Sequence, residues 1–262
     1  FAFSESPRKL VISPRERIRT AESRILNPGM PLEEIEATER AAEEQTGLSA
    51  YVAATGGMGA FPTMVVDTAP VDWILSTVAH EWVHTYLSLF PLGFSYGVTS
   101  ENTTINETVA EIVGDEIGAE ALHLYYPALA AAPERMALTS EVPPLPEEDS
   151  FDFGAEMRQT RQTVDKFLAV GRVEDAERYM ELRRLLFVEN GFALRRLNQA
   201  YFAFHGSYGT GAAADVTSPD AIAPRVIRLR ELTPDLAAFL VAVRGITDAE
   251  GLDRVLGEWE GR

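Results

Sequence analysis

Two histidines and a glutamate in His80-Glu81-Trp82-Val83-His84 form an HExxH motif within an apolar, helix-compatible stretch. On a helix, His80 and His84 are one turn apart and share a face. Both imidazoles can then bind one zinc ion, with Glu81 beside the metal to activate a water molecule. The alternative is an ordinary amphipathic helix with two satisfied histidines. The metal site is favoured because the whole chain contains only four histidines.

A catalytic zinc ion usually takes a third ligand from the protein, and Glu107 on the next predicted helix is the candidate. Glu111 follows one turn later on the same face, where it can accept the free N–H of a ligand imidazole. We expect this imidazole to be that of His80. Asp115 and Glu116 are alternative ligands, but both lie more than a turn further along the helix.

The HEWVH motif followed at this distance by NETVAE resembles the gluzincin clan of zinc metallopeptidases. The resemblance implies one zinc ion per chain, bound by His80, His84 and Glu107. It also implies Glu81 as the general base and Glu111 as the acid that supports a metal ligand.

The segment Gly56–Ala60 loosely resembles the Gly-x-Met-Glu-Asn strand of zinc aminopeptidases. Those enzymes carry, at the position of Gly59, a glutamate that binds the free amine of the substrate. Its absence here modestly favours an endopeptidase over an aminopeptidase. We expect a sheet edge at this segment to pair with an extended peptide, although a buried strand behind a loop fits the residues equally well. The predicted substrate-binding residues are Gly57, Met58, Gly59 and Ala60.

A closer resemblance is to the bacterial predicted aminopeptidases of the DUF2265 type, over roughly residues 75–260. It includes the zinc motif, the Gly-containing helix after Asn106, a long Arg/Glu helix over 173–196, and Leu197-Asn198-Gln199-Ala200 leading to Tyr208. The match is strong at the zinc motif and weak elsewhere.

Peptide hydrolysis also needs a donor for the oxyanion, usually a tyrosine or histidine in zinc peptidases. The segment 201–208 ends a predicted helix and enters a glycine-rich loop, where site residues are common. Tyr208 is the first candidate, His205 the second and Tyr201 the third. His123, by contrast, is expected to be structural. In the expected mechanism Glu81 takes a proton from the metal-bound water, and the metal and Tyr208 stabilise the oxyanion.

The pattern predicts a mainly α fold (α+β, zincin-like), with a small N-terminal β element beside the metal-binding helix. One metallopeptidase domain over 1–262 is expected, with an N-terminal basic segment (1–30), a zinc-site core (56–126) and a helical C-terminal portion (151–262). The basic segment is predicted to start a helix at Ser13-Pro14, with a solvated face favoured over a membrane-facing one. The other predicted elements are helices over 31–44 (with a doubtful tail to 53), 72–90, 104–125, 153–170, 173–204, 234–244 and 248–258, a strand over 63–66, a break over 127–150 with a proline-rich acidic loop at 143–149, and a loop over 206–223.

Composition limits the partners. The net charge of −17 argues against nucleic acid, because phosphates repel an acidic surface. The chain has no cysteine, so any zinc must be held by histidines and carboxylates.

No signal peptide and no apolar run of about 18 residues is visible. Because the chain opens at Phe1, we expect a processed form or a piece of a longer protein; membrane attachment would need a segment outside it, and an extracytoplasmic or cell-envelope location is expected.

The predicted function is therefore a zinc-dependent peptide hydrolase, either an aminopeptidase or an endopeptidase, acting on peptides or proteins. One alternative is a catalytically inactive zinc-binding helical domain that serves interaction or scaffolding. The intact Glu81 argues against it, because a structural site needs no base. A further alternative is a helical interaction module without metal.

Overall fold

The computed structural model describes residues 2–3, 5–60, 62–67, 69–131, 151–216 and 220–261. It is 59% helix and 10% strand, which confirms the expectation of a mainly α fold with a small β element. The predicted proline-rich acidic loop at 143–149 lies outside the described residues. None of the described helices is long and apolar enough to cross a membrane.

The described residues form six strands in two three-stranded sheets. In the first, β2 lies between β3 and β4 and is antiparallel to both. In the second, β6 lies between β1, which is parallel to it, and β5, which is antiparallel. The strands are β1 (Ala2–Phe3), β2 (Arg8–Ser13), β3 (Glu22–Leu26), β4 (Ser49–Ala54), β5 (Gly57–Met58) and β6 (Met64–Val65).

The helix predicted from Ser13 is wrong, because the basic N-terminal segment forms the hairpin of β2 and β3. The Ser13 hydroxyl does not cap a helix. It bonds to the carbonyl of Arg17 and accepts the N–H of Arg19, each at 3.3 Å, and so closes the connection between the strands. Arg15 at this connection pairs with Glu177 at 2.6 Å.

Helix α1 (Leu32–Thr46) agrees with the predicted Glu/Ala-rich helix, but its proposed tail to Ala53 is wrong. Gly47 adopts the left-handed conformation at φ 69° and ends the helix, and its N–H bonds to the carbonyl of Glu43. The next residues form β4, whose apolar side chains pack on α1 together with those of β2.

Helices α2 (Val71–Leu87) and α4 (Ser100–Tyr125) confirm the two predicted site helices. The predicted stop after α2 is a short helix, α3 (Pro91–Phe94). Helix α4 begins before the predicted Thr104, because the Thr99 side chain accepts the N–H of Asn102 and caps it.

The two site helices approach each other closely at glycines of α4. A Cβ atom at Gly118 would lie 2.3 Å from the hydroxyl of Ser76, and one at Gly114 would lie 3.0 Å from Cβ of His80. Only glycine permits this spacing, which brings the face of α4 that carries Glu107 up to the HExxH motif.

The predicted long helix over 173–204 is wrong. Its first part ends at Glu189 beside Gly191, which has a φ of 88°, and a new helix starts after Asn198, whose side chain accepts the N–H of Tyr201 at 2.9 Å. A helix starting at Ile222 was also not predicted. The remaining helices are α5 (Pro127–Ala130), α6 (Phe153–Ala169), α7 (Val173–Glu189), α8 (Gln199–His205), α9 (Ile222–Leu232), α10 (Leu236–Val243) and α11 (Ala249–Glu260).

The apolar core supports the site from two directions. Helices α2 and α4 bury their apolar faces against α9, α10 and α11. A second cluster joins α6, α7 and α8, and the end of α8 packs against β2 and β4 through Ala203 and Phe204. The site thus lies between the helix pair α2–α4, the sheet of β2 and the loop after α8.

Candidate metal centre

Three side chains from α2 and α4 bring their donor atoms together. Nε2 of His80 and Nε2 of His84 are 3.0 Å apart. Oε2 of Glu107 lies 3.4 Å from the first and 3.6 Å from the second. Ligand atoms about 2.1 Å from one tetrahedral metal ion are separated by about 3.4 Å. The triangle therefore has the size that a divalent metal ion requires, and among the described residues it is the group able to hold one.

The hydrogen bonding of Glu107 also points to a cation. Glu107 is only 5% exposed, and its Oε1 accepts the hydroxyl of Tyr96 at 2.5 Å. Its Oε2 is buried and has no hydrogen-bond partner in the described part of the chain. A buried carboxylate oxygen without a partner is costly and rare. A metal ion between Oε2 and the two imidazoles would satisfy it.

The charges of the three residues are strongly coupled. Burial by itself would raise the pKa of Glu107, but His84 and His80 hold this pKa well below its ordinary value. Burial acts against the charged form of His84, whose pKa is nevertheless raised by the carboxylate of Glu107. The site is thus built to hold a carboxylate beside positive charge, which a bound metal ion would supply while the imidazoles stay neutral.

Asn106 orients one of the imidazoles, a role that the sequence reasoning missed. Its Oδ1 lies 2.8 Å from Nδ1 of His84, and its Nδ2 donates to the carbonyl of Leu92 at 3.3 Å. Because an amide oxygen only accepts, Nδ1 of His84 carries the proton and Nε2 presents its lone pair to the metal position. The sequence signal was the asparagine that directly precedes Glu107.

The expected pairing of Glu111 with His80 is wrong. Within the described residues no hydrogen bond joins them; Oε2 of Glu111 instead accepts the backbone N–H of Thr210 at 2.9 Å. Glu111 nevertheless lines the cleft beside His80. Burial raises the pKa of its carboxyl, and the bond from Thr210 opposes this. Glu111 therefore anchors the loop that follows α8 onto α4.

Replacing Asn106 by alanine is expected to weaken metal binding about 10–100-fold, the usual effect of removing a hydrogen bond to a ligand imidazole. Asn102 is the matched control, because it is also buried on α4 and also donates to the carbonyl of Leu92 but does not contact His84. Asn102→Ala should lower stability and leave metal affinity near wild type. Competition with a chromophoric chelator measures both affinities. Equal losses in the two variants would contradict the orienting role.

Glu81 lies beside the triangle without belonging to it. It is 7% exposed, and a Cβ atom at Gly57 would lie 2.6 Å from its Oε1. Burial raises the pKa of Glu81, and the neighbouring His84 and His80 oppose this in part. A carboxylate with a raised pKa is a better proton acceptor at neutral pH, so its environment suits general-base chemistry.

The predicted glycine-rich segment lies directly over the HExxH helix. A Cβ atom at Gly59 would come within 2.9 Å of Cβ of His84, so the glycines allow the close approach. Gly57 and Met58 form β5, which is at the edge of its sheet, and Ala60 lies just beyond, with its N–H bonded to the carbonyl of Met58 at 2.8 Å. The outer edge of β5 is not paired with any described strand. Such an unpaired edge is what pairing with an extended peptide requires.

A cleft crosses the candidate centre as two adjoining cavities. One, of about 370 Å³, extends toward Trp73, Glu111 and Asp115. The other, of about 360 Å³, extends toward Lys9 and Tyr96. Both cavities share the residues Gly56, Gly57, His80, Glu81, Phe204 and Tyr208. Glu81 and His80 are therefore reachable from both sides.

Tyr208 lines both cavities, with its ring centroid 6.1 Å from that of His80. Burial raises the pKa of its hydroxyl well above the ordinary value, and Glu107, Glu81 and Glu111 add to the effect. The hydroxyl thus stays protonated. It has no hydrogen-bond partner within the described ranges, so it is free to donate to a ligand.

The other two candidates differ in their access to the cleft. Of the two cavities, His205 lines only the one that extends toward Trp73. Its Nε2 lies 3.4 Å from the hydroxyl of Tyr51, and burial lowers its pKa to about 4, so it is neutral at pH 7. Tyr201 is buried in the core, with its ring 5.3 Å from that of Tyr51. The sequence reasoning missed Tyr96, whose ring lies 5.6 Å from that of His84.

The remaining acids and histidine lie away from the triangle. Asp115 lines the cavity on the Trp73 side, beside Glu111, and burial raises its pKa. Glu116 instead pairs with Arg230 at 2.8 Å. His123 is exposed near the end of α4.

Comparison of the chain with protein-family models, with curated proteins and with solved structures finds no match in any of the three. The function is therefore inferred from the geometry of the cleft.

Proposed function

We propose that the chain is a zinc-dependent peptide hydrolase. The observation that carries the proposal is the buried, unpartnered Oε2 of Glu107 opposite two imidazole nitrogens, with the carboxylate of Glu81 adjacent. His80, His84 and Glu107 would hold the ion. Two imidazoles and one carboxylate are a donor set typical of a catalytic zinc site that keeps an open position.

Bound there, zinc would act as a Lewis acid and lower the pKa of a water molecule to about 7. Glu81 accepts a proton from the attacking water and passes it to the leaving amine. The hydroxyl of Tyr208 donates to the oxygen on which negative charge develops. The free edge of β5 pairs with the substrate backbone and holds the scissile bond beside Glu81.

The test is to purify the protein without chelator, measure its metals by elemental analysis and assay a mixed peptide library. We expect one zinc ion per chain, and hydrolysis that is lost on chelation and restored by added zinc. Comparison of free-amine with blocked peptides then separates an aminopeptidase from an endopeptidase. Bound zinc without cleavage would favour the interaction-domain alternative, and failure to take up zinc would overturn the proposal.

Replacing Tyr208 by phenylalanine is expected to lower kcat about 10²–10³-fold with little change in KM, because a donor to the developing oxyanion acts mainly in the transition state. Tyr201→Phe removes a hydroxyl from the same helix–loop region but outside the cleft, and should keep wild-type kcat. Steady-state kinetics on one good peptide compares the two. A Tyr208→Phe enzyme with wild-type kcat would assign the donor elsewhere, with Tyr96 the next candidate.

A further inference from the structure

Lys9 extends from the face of the sheet that covers the candidate centre. Side chains alternate along β2, and Leu10 and Ile12 pack toward α1. Val11, on the opposite face, packs with Phe204 and near Tyr208. Lys9 is two residues before Val11 on this same face, which carries its side chain toward the cleft.

The surroundings of Lys9 are those of a recognition residue. It is half-buried and lines the cavity of about 360 Å³ together with Glu81 and His84. It also lines a neighbouring cavity of about 310 Å³ whose walls include Arg19, Tyr96 and Tyr208. Its Nζ lies 5.9 Å from the centroid of the Tyr96 ring. Lys9 therefore stands where the cleft continues away from the metal position.

The ammonium of Lys9 has no directly bonded anionic partner among the described residues, although it is close enough to the carboxylate of Glu81 to act on its charge. Across the described ranges it makes no ion pair and no hydrogen bond, although the chain has 40 acidic against 23 basic residues. Other half-buried cations are paired, such as Arg195 with Glu39 and Arg230 with Glu116. Partial burial of a cation that has no directly bonded anion is unfavourable. A ligand that brings a negative charge would therefore be stabilised there.

The two ends of the cleft have opposite charge. Glu111 and Asp115 lie at one end. Lys9 lies at the other, and the cavity beyond it is lined by Arg19 and by Glu22, which is itself paired with Arg24. A peptide in the cleft would therefore direct a carboxylate toward Lys9.

We infer that Lys9 is a specificity-determining residue that binds a carboxylate of the substrate near the scissile bond. That carboxylate is either the C-terminus of a short peptide or the side chain of Asp or Glu. The inference deepens the proposed function and rests on it, because it takes the bound molecule to be a substrate. The binding of the carboxylate can nevertheless be measured without turnover.

The size and the sign of the difference in affinity between an acid peptide and its amide are both informative. A hydrogen bond to a charged group changes affinity by about 10–100-fold when it is removed. The overall charge of −17 repels carboxylates, so the long-range field predicts weaker binding of an acid than of its amide. A preference for the acid would therefore report a local contact.

The experiment measures peptide affinity by calorimetry in the Glu81→Gln protein, which is expected to bind without hydrolysis. Three otherwise identical peptides are compared: a C-terminal acid, its amide, and an amide whose last residue is Glu. Lys9→Met, Lys9→Arg and Lys166→Met are added separately. Lys166 is the matched control because it is the only other lysine in the chain and is exposed on α6.

We expect at least one of the two carboxylate-bearing peptides to bind at least about 10-fold more tightly than the plain amide. Lys9→Met should remove this preference, while Lys9→Arg and Lys166→Met should retain it. If only the C-terminal acid binds more tightly, Lys9 binds the C-terminus; if only the Glu-containing amide does, Lys9 binds a side-chain carboxylate; if both do, it accepts either. Equal affinities for all three peptides, or a preference that survives Lys9→Met, would overturn the inference.

The outcome is separate from that of the proposed function. A Lys9-dependent preference in a protein that hydrolyses no peptide would support carboxylate recognition and refute the hydrolase. Hydrolysis by wild-type protein with equal affinity for all three peptides would do the reverse.

Discussion

Replacing Glu81 by glutamine is expected to lower kcat about 10²–10⁴-fold, the usual contribution of a general base, while one metal ion stays bound per chain. Glutamine has the shape of glutamate but cannot take up a proton. It should remain in position, since Gly57 lies so close to the Glu81 carboxylate that the side chain has little freedom. Metal analysis and steady-state kinetics on the same sample provide the measurement.

Glu111→Gln is the matched control for Glu81→Gln. Glu111 lies in the same cleft and is also largely buried, but its carboxylate oxygen accepts the N–H of Thr210, a bond that an amide oxygen can also accept. We expect at most a modest loss of kcat in this variant. If Glu81→Gln kept its metal and more than about a tenth of wild-type kcat, Glu81 would not be the general base.

The sequence was sufficient to predict that His80, His84 and Glu107 come together, because the geometry is mostly local. The spacing of His80 and His84 fixes their common face once the segment is helical. Glu107 was found because a third donor had to come from the next helix, and α4 brings it to 3.4 Å from His80. The peptidase assignment stays a prediction, because geometry alone does not test turnover.

The hydrogen-bond partners of the ligands were not predictable from spacing. Glu111 was expected to meet His80, but whether an acid on α4 reaches a given imidazole depends on how the two helices cross. That crossing is fixed where Gly114 and Gly118 pack against α2, a contact between residues far apart in sequence. As a result Asn106 reaches His84, and Glu111 is left to bind the loop at Thr210.

The N-terminal error has a similar origin. Ser13-Pro14 is compatible with a helix start and equally with a strand followed by a bend. The choice is made by pairing of β2 with both β3 and β4, since a central strand satisfies its backbone on two sides. Only this pairing places Lys9 on the face of the sheet that covers the cleft. No local feature of the sequence therefore predicts that the side chain of Lys9 reaches the site.

Replacing Glu107 by alanine is expected to weaken metal binding by at least about 10²-fold and to remove metal-dependent thermal stabilisation. For wild-type protein, a free metal concentration 100 times Kd stabilises the folded state by about 2.7 kcal/mol. That energy corresponds to an increase of about 5–10 °C in Tm for a chain of this size. Thermal unfolding with and without zinc should show this increase in wild type and almost none in Glu107→Ala.

Glu116→Ala supplies the control on the same helix, because Glu116 was an alternative ligand and the structure pairs it with Arg230 instead. This variant should keep the full rise in Tm on adding zinc. Glu107→Gln refines the test, since its amide can still accept the hydroxyl of Tyr96 while it carries no charge opposite the two imidazoles. If Glu107→Gln is also insensitive to zinc, the charge of Glu107 is what binds the ion. A normal Tm rise in Glu107→Ala together with its loss in Glu116→Ala would move the third ligand along α4 and refute the proposed centre.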